Sequence, residues 1–283
     1  MNIAVLITTF NRKEKTLICL QNLREQTLTE DIKLTVFLTD DASSDGTAEA
    51  AAIAFPNIHV YNGNGSLFWA GGMRKSWNEA IKSNPDFYLL INDDTVLVNT
   101  AISSLLQTYN EALQQFGKPA ICIGSTKDKA TGKTSYGGRR LVSRRKIFNY
   151  RVENNETLAE CDLGNANIML VPHAVVAKIG ILSDAYTHGI ADYDYTLTAK
   201  KNGFPVVVAP GTLGFCQDDH GNSWKPQNTK LRERIKYSFS PKGLAYKEYL
   251  YFIRKHFPLH YPAAFSKLWL KTFFPFLWDT IRK

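Results

Sequence analysis

Short apolar runs alternate with amphipathic stretches through the first 120 residues. "IAVLITTF" (residues 3–10) is apolar almost throughout, as in a strand covered on both faces. The chain then turns at Asn11-Arg12-Lys13 into a stretch with Leu17, Leu20 and Leu23 at helical spacing. "IKLTVFLTDDAS" predicts a second strand, and "SDGTAEAAAIAF" a second helix with Ser, Asp and Thr available to cap it. "NIHVYN" and "DFYLLIND" predict a third and fourth strand, joined by a glycine-hinged turn and helix in "WAGGMRKSWNEAIK". Such alternation implies an α/β fold with a mostly parallel sheet flanked by helices.

The later pattern is less regular. Residues 125–160 are polar and basic, and "TGKTSYGGRR" reads as hairpin or loop. "NANIMLVPHAVVAKIG" resumes strand then helix, "DYDYTLTAKKNG" predicts a short helix closed by Asn202-Gly203, and "FPVVVAP" another strand. The last 45 or so residues have helical spacing broken by Pro258, Pro262 and Pro275. Phe265, Leu268, Trp269 and Phe273 share one face there.

Three of the first four strands end in polar clusters: Thr8-Thr9-Phe10-Asn11, Asp40-Asp41-Ala42-Ser43 and Asn92-Asp93-Asp94-Thr95. Open α/β sheets bind ligands at the carboxyl ends of their strands, so one crevice lined by all three is the simplest arrangement. Asp93 and Asp94 end a buried strand, where like charges repel and desolvation is costly. A divalent cation with a nucleoside diphosphate would offset that cost, since Mg²⁺ and Mn²⁺ are held by one or two carboxylates plus substrate phosphates. Read alone, the pair is equally a solvated turn or helix cap. Asp40 and Asp41 add carboxylates able to accept from a ribose or nucleobase; Ser43 and Asp45 read as helix caps.

Charge separates the chain into two parts. Residues 225–283 carry 13 Lys and Arg against three acids, a net of +10, and 14 of the 34 aromatic residues. The first 224 residues carry 21 basic and 23 acidic groups. This division predicts a catalytic domain over 1–224, with halves 1–120 and 121–224, and a helical, basic, aromatic extension over 225–283. Such a tail suits an anionic membrane interface; packing on the domain or across a dimer accounts for it as well. Nucleic acid is not the expected partner, because no recognition motif accompanies the charge. Four scattered cysteines without a CxxC pair, no basic leader and no apolar run of about 18 residues lead to an expectation of cytoplasmic residence.

"VLITTFNRKEKTLICLQNLREQT", "LTVFLTDDASSDGT" and "YLLINDDTVL", in this order and spacing, resemble the nucleotide-binding half of the family-2 glycosyltransferases over roughly the first 100 residues. The resemblance implies the GT-A fold and a nucleotide-sugar donor, a UDP- or dTDP-sugar. It assigns Thr8, Thr9, Phe10, Asn11, Arg12, Asp40, Asp41 and Asp93 to the nucleotide. The family's metal motif is usually Asp-x-Asp; here Asn92-Asp93-Asp94 retains the last acid, so Asp94 and Asn92 are the implied ligands of Mn²⁺ or Mg²⁺. "CQDDHGNSW" is similar to a segment that supplies a metal-binding histidine in rhamnosyl- and galactofuranosyltransferase-like members, which points to His220. "IADYDYTLTAKKNGF" resembles the segment holding the catalytic base and puts Asp192 there, with Asp194 capping the helix or touching the acceptor. "NGNGSLFWAGGMRKSWN" is similar to a loop and helix that close over the donor, with Gly71 and Gly72 allowing close approach and Arg74 meeting phosphate. "LGNANIMLVP" looks like the strand flooring the acceptor site, with Gly164 and Asn165 lining it.

The implied reaction is inverting, metal-dependent transfer to a hydroxyl of a glycan or lipid-linked glycan, with bacterial surface polysaccharide as its setting. A sugar nucleotidyltransferase would carry a glycine-rich basic loop after the first strand, and "TTFNRKEK" is not one. A non-catalytic nucleotide- or glycan-binding relative draws its support from Asn92. Gly63 and Gly65 lack the third glycine and register of a dinucleotide fingerprint.

Overall fold

In the computed structural model, residues 1–55, 57–143, 145–153, 156–218, 229–274 and 276 are described. β1 (Asn2–Thr9) leads into α1 (Lys13–Arg24), β2 (Lys33–Asp40), α2 (Thr47–Ala54), β3 (His59–Asn62), α3 (Phe68–Ile81) and β4 (Phe87–Ile91). Next come β5 (Val96–Leu97), α4 (Ala101–Phe116), β6 (Ile121–Ile123), β7 (Thr126–Lys127), β8 (Thr134–Tyr136), β9 (Gly138–Ser143) and β10 (Lys146–Arg151). β11 (Ala159–Glu160), β12 (Leu163–Gly164), β13 (Ile168–Pro172), α5 (His173–Ile179), α6 (Ala191–Lys201), β14 (Val206–Val208) and β15 (Gly214–Phe215) follow. The C-terminal segment holds α7 (Leu231–Phe239), α8 (Tyr246–His256) and α9 (Tyr261–Phe273).

The main sheet has the order β11-β14-β6-β13-β4-β1-β2-β3. β1 pairs in parallel with β2 and β4, β2 with β3, and β6 with β14, as the strand–helix alternation predicts. β13 is the exception that matters for the site. It runs antiparallel between β4 and β6 with Ile168 opposite Ile91, so its first residues meet the carboxyl end of β4.

Alternate side chains of the central strands enter different layers, because a strand points successive residues to opposite faces. Ile3, Val5, Ile7, Leu89 and Ile91 pack with Cys19, Leu20 and Leu23 of α1 and Ile102 and Leu105 of α4. Ala4, Leu6, Tyr88 and Leu90 pack with Ala70, Met73, Trp77 and Ala80 of α3. Both layers are buried, which is why β1 and β4 are apolar without alternation.

The region 125–160 contains more structure than its polar sequence predicts. β7 to β10 fall in two small sheets, β10-β9-β12 and β5-β15-β7-β8, and β11 edges the main sheet beside β14. The strands there are two to six residues long, too short to leave a legible apolar period.

The C-terminal segment shares the α3-side core. Leu250, Phe252, Ile253, Phe257 and Ala264 are buried in it, and Tyr246 and Leu268 pack against it. Asp194 of α6 fastens α8 in place: it accepts hydrogen bonds from Tyr186 Oη (2.9 Å), Lys255 Nζ (2.8 Å) and His256 Nε2 (2.7 Å). Burial pushes the Asp194 carboxyl up, but those three donors and the Lys255 charge outweigh it and hold the group below its ordinary value. Part of the tail's aromatic content is thus spent inward; Leu259, Phe265, Phe273 and Phe274 remain exposed. Among the described residues, no helix is long and apolar enough to cross a membrane.

α3 lies unusually close to β1. A Cβ on Gly72 would fall 1.9 Å from Thr8 Oγ1, so only glycine admits this contact. Helix propensity alone favours alanine there by about 1 kcal/mol. Gly72→Ala is nevertheless expected to destabilise the protein by about 1–3 kcal/mol through overpacking, read by urea denaturation.

Candidate active site

Asp93 is buried and Asp94 nearly so, each with 8% of its side chain exposed. Arg12, the residue before α1, spans them: its Nη1 lies 3.2 Å from Asp93 Oδ1 and 2.8 Å from Asp94 Oδ2. Lys15 Nζ stands 3.8 Å from Asp94 Oδ2. Burial pushes Asp93 up to about 6; the Arg12 charge opposes this and the Asp94 charge adds to it. The acid pair is thus held by a cation from the neighbouring strand end, a contact the sequence did not disclose.

The ends of β1 and β2 are sewn together. Asn11 Oδ1 accepts from Ser44 N (2.7 Å), and Asn11 N donates to Ser43 Oγ (2.8 Å). Ser43 N and Oγ both donate to Asp40 Oδ1. Thr9 shares a hydrogen bond with Thr16. Asp45 takes Lys13 N (3.1 Å) and Thr47 N (3.1 Å), joining the starts of two helices. Asp41 builds the next loop, accepting Gly65 N at 2.8 Å and Phe68 N at 2.9 Å. Thr8, Thr9, Asp40 and Asp41 are buried, whereas Phe10 presents its ring to solvent, 45% exposed.

Across the crevice lies the turn before β13. Asp192, half-buried in the first turn of α6, accepts Ala166 N (3.2 Å) and Asn165 Nδ2 (3.4 Å) on Oδ2, and Tyr193 N (2.8 Å) on Oδ1. Burial raises its carboxyl above the ordinary value, and the hydrogen bonds offset part of that rise. The next residue, Asn167, reaches the acid pair: its carbonyl accepts Asn92 N (3.4 Å), and its Nδ2 donates to Cys216 Sγ (3.5 Å). Cys216 Sγ in turn donates to Asp94 Oδ1 at 3.5 Å, its thiol pushed up to about 12 by burial and the Asp94 charge. Residues 165–167 thus tie Asp192 to Asn92 and Asp94.

Other sequence-predicted residues have different surroundings. Asn92 Oδ1 accepts from Trp69 Nε1 (2.8 Å), so its amide orients an indole at the start of α3. Arg74 donates through Nη1 to the carbonyls of Ser183 (2.9 Å) and Tyr186 (2.7 Å), pinning the segment before α6 instead of reaching freely for phosphate. Gly72 approaches Thr8, and a Cβ on Gly71 would sit 3.2 Å from Leu67 Cβ; these close approaches are internal. Gly164 is a packing glycine, where a Cβ would lie 2.5 Å from Ile123 Cδ1. Asp194 is occupied inside by α8, so only Asp192 of the two acids faces the 165–167 turn. His220 lies outside the described residues. Trp69, Asn167, Lys15 and Cys216 are the site neighbours that sequence reasoning missed. Trp69 stood beside the glycine pair, and Asn167 two residues from Asn165, without a motif to mark them.

Backbone strain gathers here. Of six non-glycine residues with positive φ among the described residues, Asn11 (51°), Ala42 (62°), Phe68 (52°) and Ile190 (70°) border the crevice. Each such residue costs on the order of 1–3 kcal/mol and persists only where its surroundings impose it, as ligand sites do.

Residues 4–166 match the family described as Glycosyl transferase family 2. No curated protein matches the sequence. Among solved structures, the fold is similar to residues 1–349 of S. aureus TarS in complex with UDP, with a TM-score of 0.53 and 16% identity. That alignment covers 77% of this chain and 60% of the TarS fragment, so the chain spans about three fifths of that relative. It is similar also to the mannosyltransferase PcManGT from Pyrobaculum calidifontis, in complex with GDP-Man and Mn2+, with a TM-score of 0.53 and 14% identity over 95% of this chain and 69% of that one. The TarS fragment in complex with UDP-GlcNAc gives a TM-score of 0.51 at 14% identity, over 90% of this chain and 72% of that one. Likeness at such identities is one of fold. The family match takes in β1 to β4, all three polar strand ends and the turn to Ala166, more than half of the sequence; the chain belongs to glycosyl transferase family 2, enzymes of the glycosyltransferase class, and has their GT-A fold.

Proposed function

We propose that the protein is an inverting, divalent-cation-dependent transferase moving a sugar from a nucleoside diphosphate to a hydroxyl of a glycan or lipid-linked glycan. The observation that carries this reading is the 165–167 turn, which joins the acid pair at the end of β4 to Asp192. Neighbours of the same fold bind UDP, UDP-GlcNAc and GDP-Man, which supports a nucleotide-sugar donor.

The donor set at the end of β4 fits Mg²⁺ or Mn²⁺. Asp93 and Asp94 offer hard carboxylate oxygens, while Asn92 is engaged by Trp69. Among the described residues no three His, Cys, Asp or Glu converge as a metal site, which suits a cation shared with substrate phosphates. Asp94 and Asp93 would hold it, with His220 a further ligand of the same reading, and the cation when bound would neutralise charge on the departing diphosphate. Arg12, already on both acids, is placed to meet the diphosphate as well. Thr8, Thr9, Asn11, Asp40 and Asp41 would shape the nucleotide pocket, and Phe10 offers a ring face to the base.

The transfer is a single displacement. The acceptor oxygen bonds to the anomeric carbon, the bond from that carbon to the diphosphate oxygen breaks, and its electron pair leaves with the diphosphate. Asp192 takes the acceptor's proton, a role helped by a carboxyl raised above its ordinary value. A lipid-linked acceptor for surface polysaccharide, met at the inner face of the cytoplasmic membrane, accords with the basic, aromatic tail.

Thermal-shift titration with UDP, dTDP and GDP, each with and without Mn²⁺, tests the donor half. One nucleotide is expected to stabilise only with the metal, by about 2.7 kcal/mol at a hundredfold excess over its Kd. No shift with any nucleotide would leave a non-catalytic glycan-binding relative as the better reading. The acceptor half is tested by Asp192→Asn, which should lower kcat by about 10²–10⁴ while nucleotide binding is retained. In the wild type, protonation of Asp192 removes the base. Activity should therefore fall with acidification along a limb lying above the ordinary carboxylate value of 3.8, and this limb should vanish in the variant. Near-wild-type turnover by Asp192→Asn would remove the residue from this role.

A further inference from the structure

β9 and β10 form a hairpin with an unusual outward face. Residues 139–151 include six Lys and Arg and no acid. Leu141 and Ile147 point inward against the main core. An antiparallel pair covered on one side ordinarily shows polar residues on the other. Here the outward positions include Val142, Phe148 and Tyr150, exposed at 62%, 63% and 52%, beside exposed Arg140 and Lys146. Glu160 and Asp162, which border the hairpin, share Lys200 at 3.9 and 2.7 Å, which offsets one of their two charges against the hairpin's six.

The face continues into the C-terminal segment. His260 Nε2 donates to the carbonyl of Arg145 in the hairpin turn at 2.8 Å. Its neighbour Leu259 is the most exposed large apolar residue among those described, at 84%. α9 starts two residues later, at Tyr261, and carries exposed Phe265 and Lys267. On the other side, β9 pairs with β12, Gly138 opposite Gly164, just before the Asn165 and Ala166 that hold Asp192.

We infer that the outward hairpin face, with Leu259 and the start of α9, is the surface by which the protein lies on an anionic bilayer. Aromatic and aliphatic side chains interleaved with Lys and Arg match an interface where acyl chains meet anionic headgroups. A second copy of the chain would set basic hairpin against basic hairpin. Docking in this way presents the Asp192 side of the crevice to the membrane, where a lipid-linked acceptor would be met. The inference deepens the membrane-side reading of the acceptor, but lipid binding can be measured without transfer.

Flotation of the full chain with mixed phosphatidylcholine–phosphatidylglycerol vesicles, against phosphatidylcholine alone, tests it. Wild-type protein should float with the anionic vesicles only, less so as salt rises. Arg140→Gln with Lys146→Gln should weaken binding roughly thirtyfold, two charges' worth at the interface. Phe148→Ser with Tyr150→Ser should weaken it at least about tenfold with unchanged far-ultraviolet circular dichroism. If the hairpin variants float like wild type while Phe265→Ser does not, the tail alone binds lipid and the hairpin assignment is overturned. No flotation of the wild type, or dimerisation abolished by the hairpin changes, overturns it outright, and sugar transfer by the same preparation would leave the enzymatic reading standing.

Discussion

The site depends on the tolerance of two adjacent carboxylates at the buried end of a core strand. Apolar walls on both sides of β4 deprive Asp93 and Asp94 of water, and their mutual repulsion adds to that cost. Arg12 makes the arrangement stable by reaching across from the end of β1. The parallel pairing of β1 with β4 places the two ends side by side, so sheet topology and charge balance cannot be separated. The acids are held at a strand end by a cation supplied from the neighbouring strand's end.

A second constraint follows from the reversed strand. β13 enters the parallel sheet in the opposite direction, so the residues before it, not after it, reach the crevice. This single reversal brings 165–167 to β4 and lets the backbone of one turn grip Asp192 on one side and Asn92 on the other. In a wholly parallel sheet this strand would offer its other end.

Much of the architecture was legible because double-sided burial leaves an unmistakable trace: β1 and β4 are continuous apolar runs whose polar ends mark the crevice. Packing choices were less legible. Asp192 and Asp194 stand two residues apart at a helix start and point to different neighbours, one to the 165–167 turn and one to α8; charge and spacing are the same for both. Gly72 reads as a donor-loop glycine, and only the distance to Thr8 explains it. Arg74 reads as a phosphate ligand, yet two carbonyls of the segment before α6 hold it. Asn92 reads as a weakened metal ligand, and its partner Trp69 has no motif. In each case the deciding contact comes from residues distant in sequence.

Asp194 gives the C-terminal segment a significance that its composition conceals. Lys255 and His256 end a helix beyond the family-matched region, yet their hydrogen bonds reach the helix that carries Asp192. An extension fastened in this way is no longer an optional accessory. Because α8 completes the core under the helix that carries Asp192, losing the extension uncovers apolar surface and strips a buried carboxylate of its donors. The segment is entrenched through its inner face, which is part of the core that the catalytic domain itself requires.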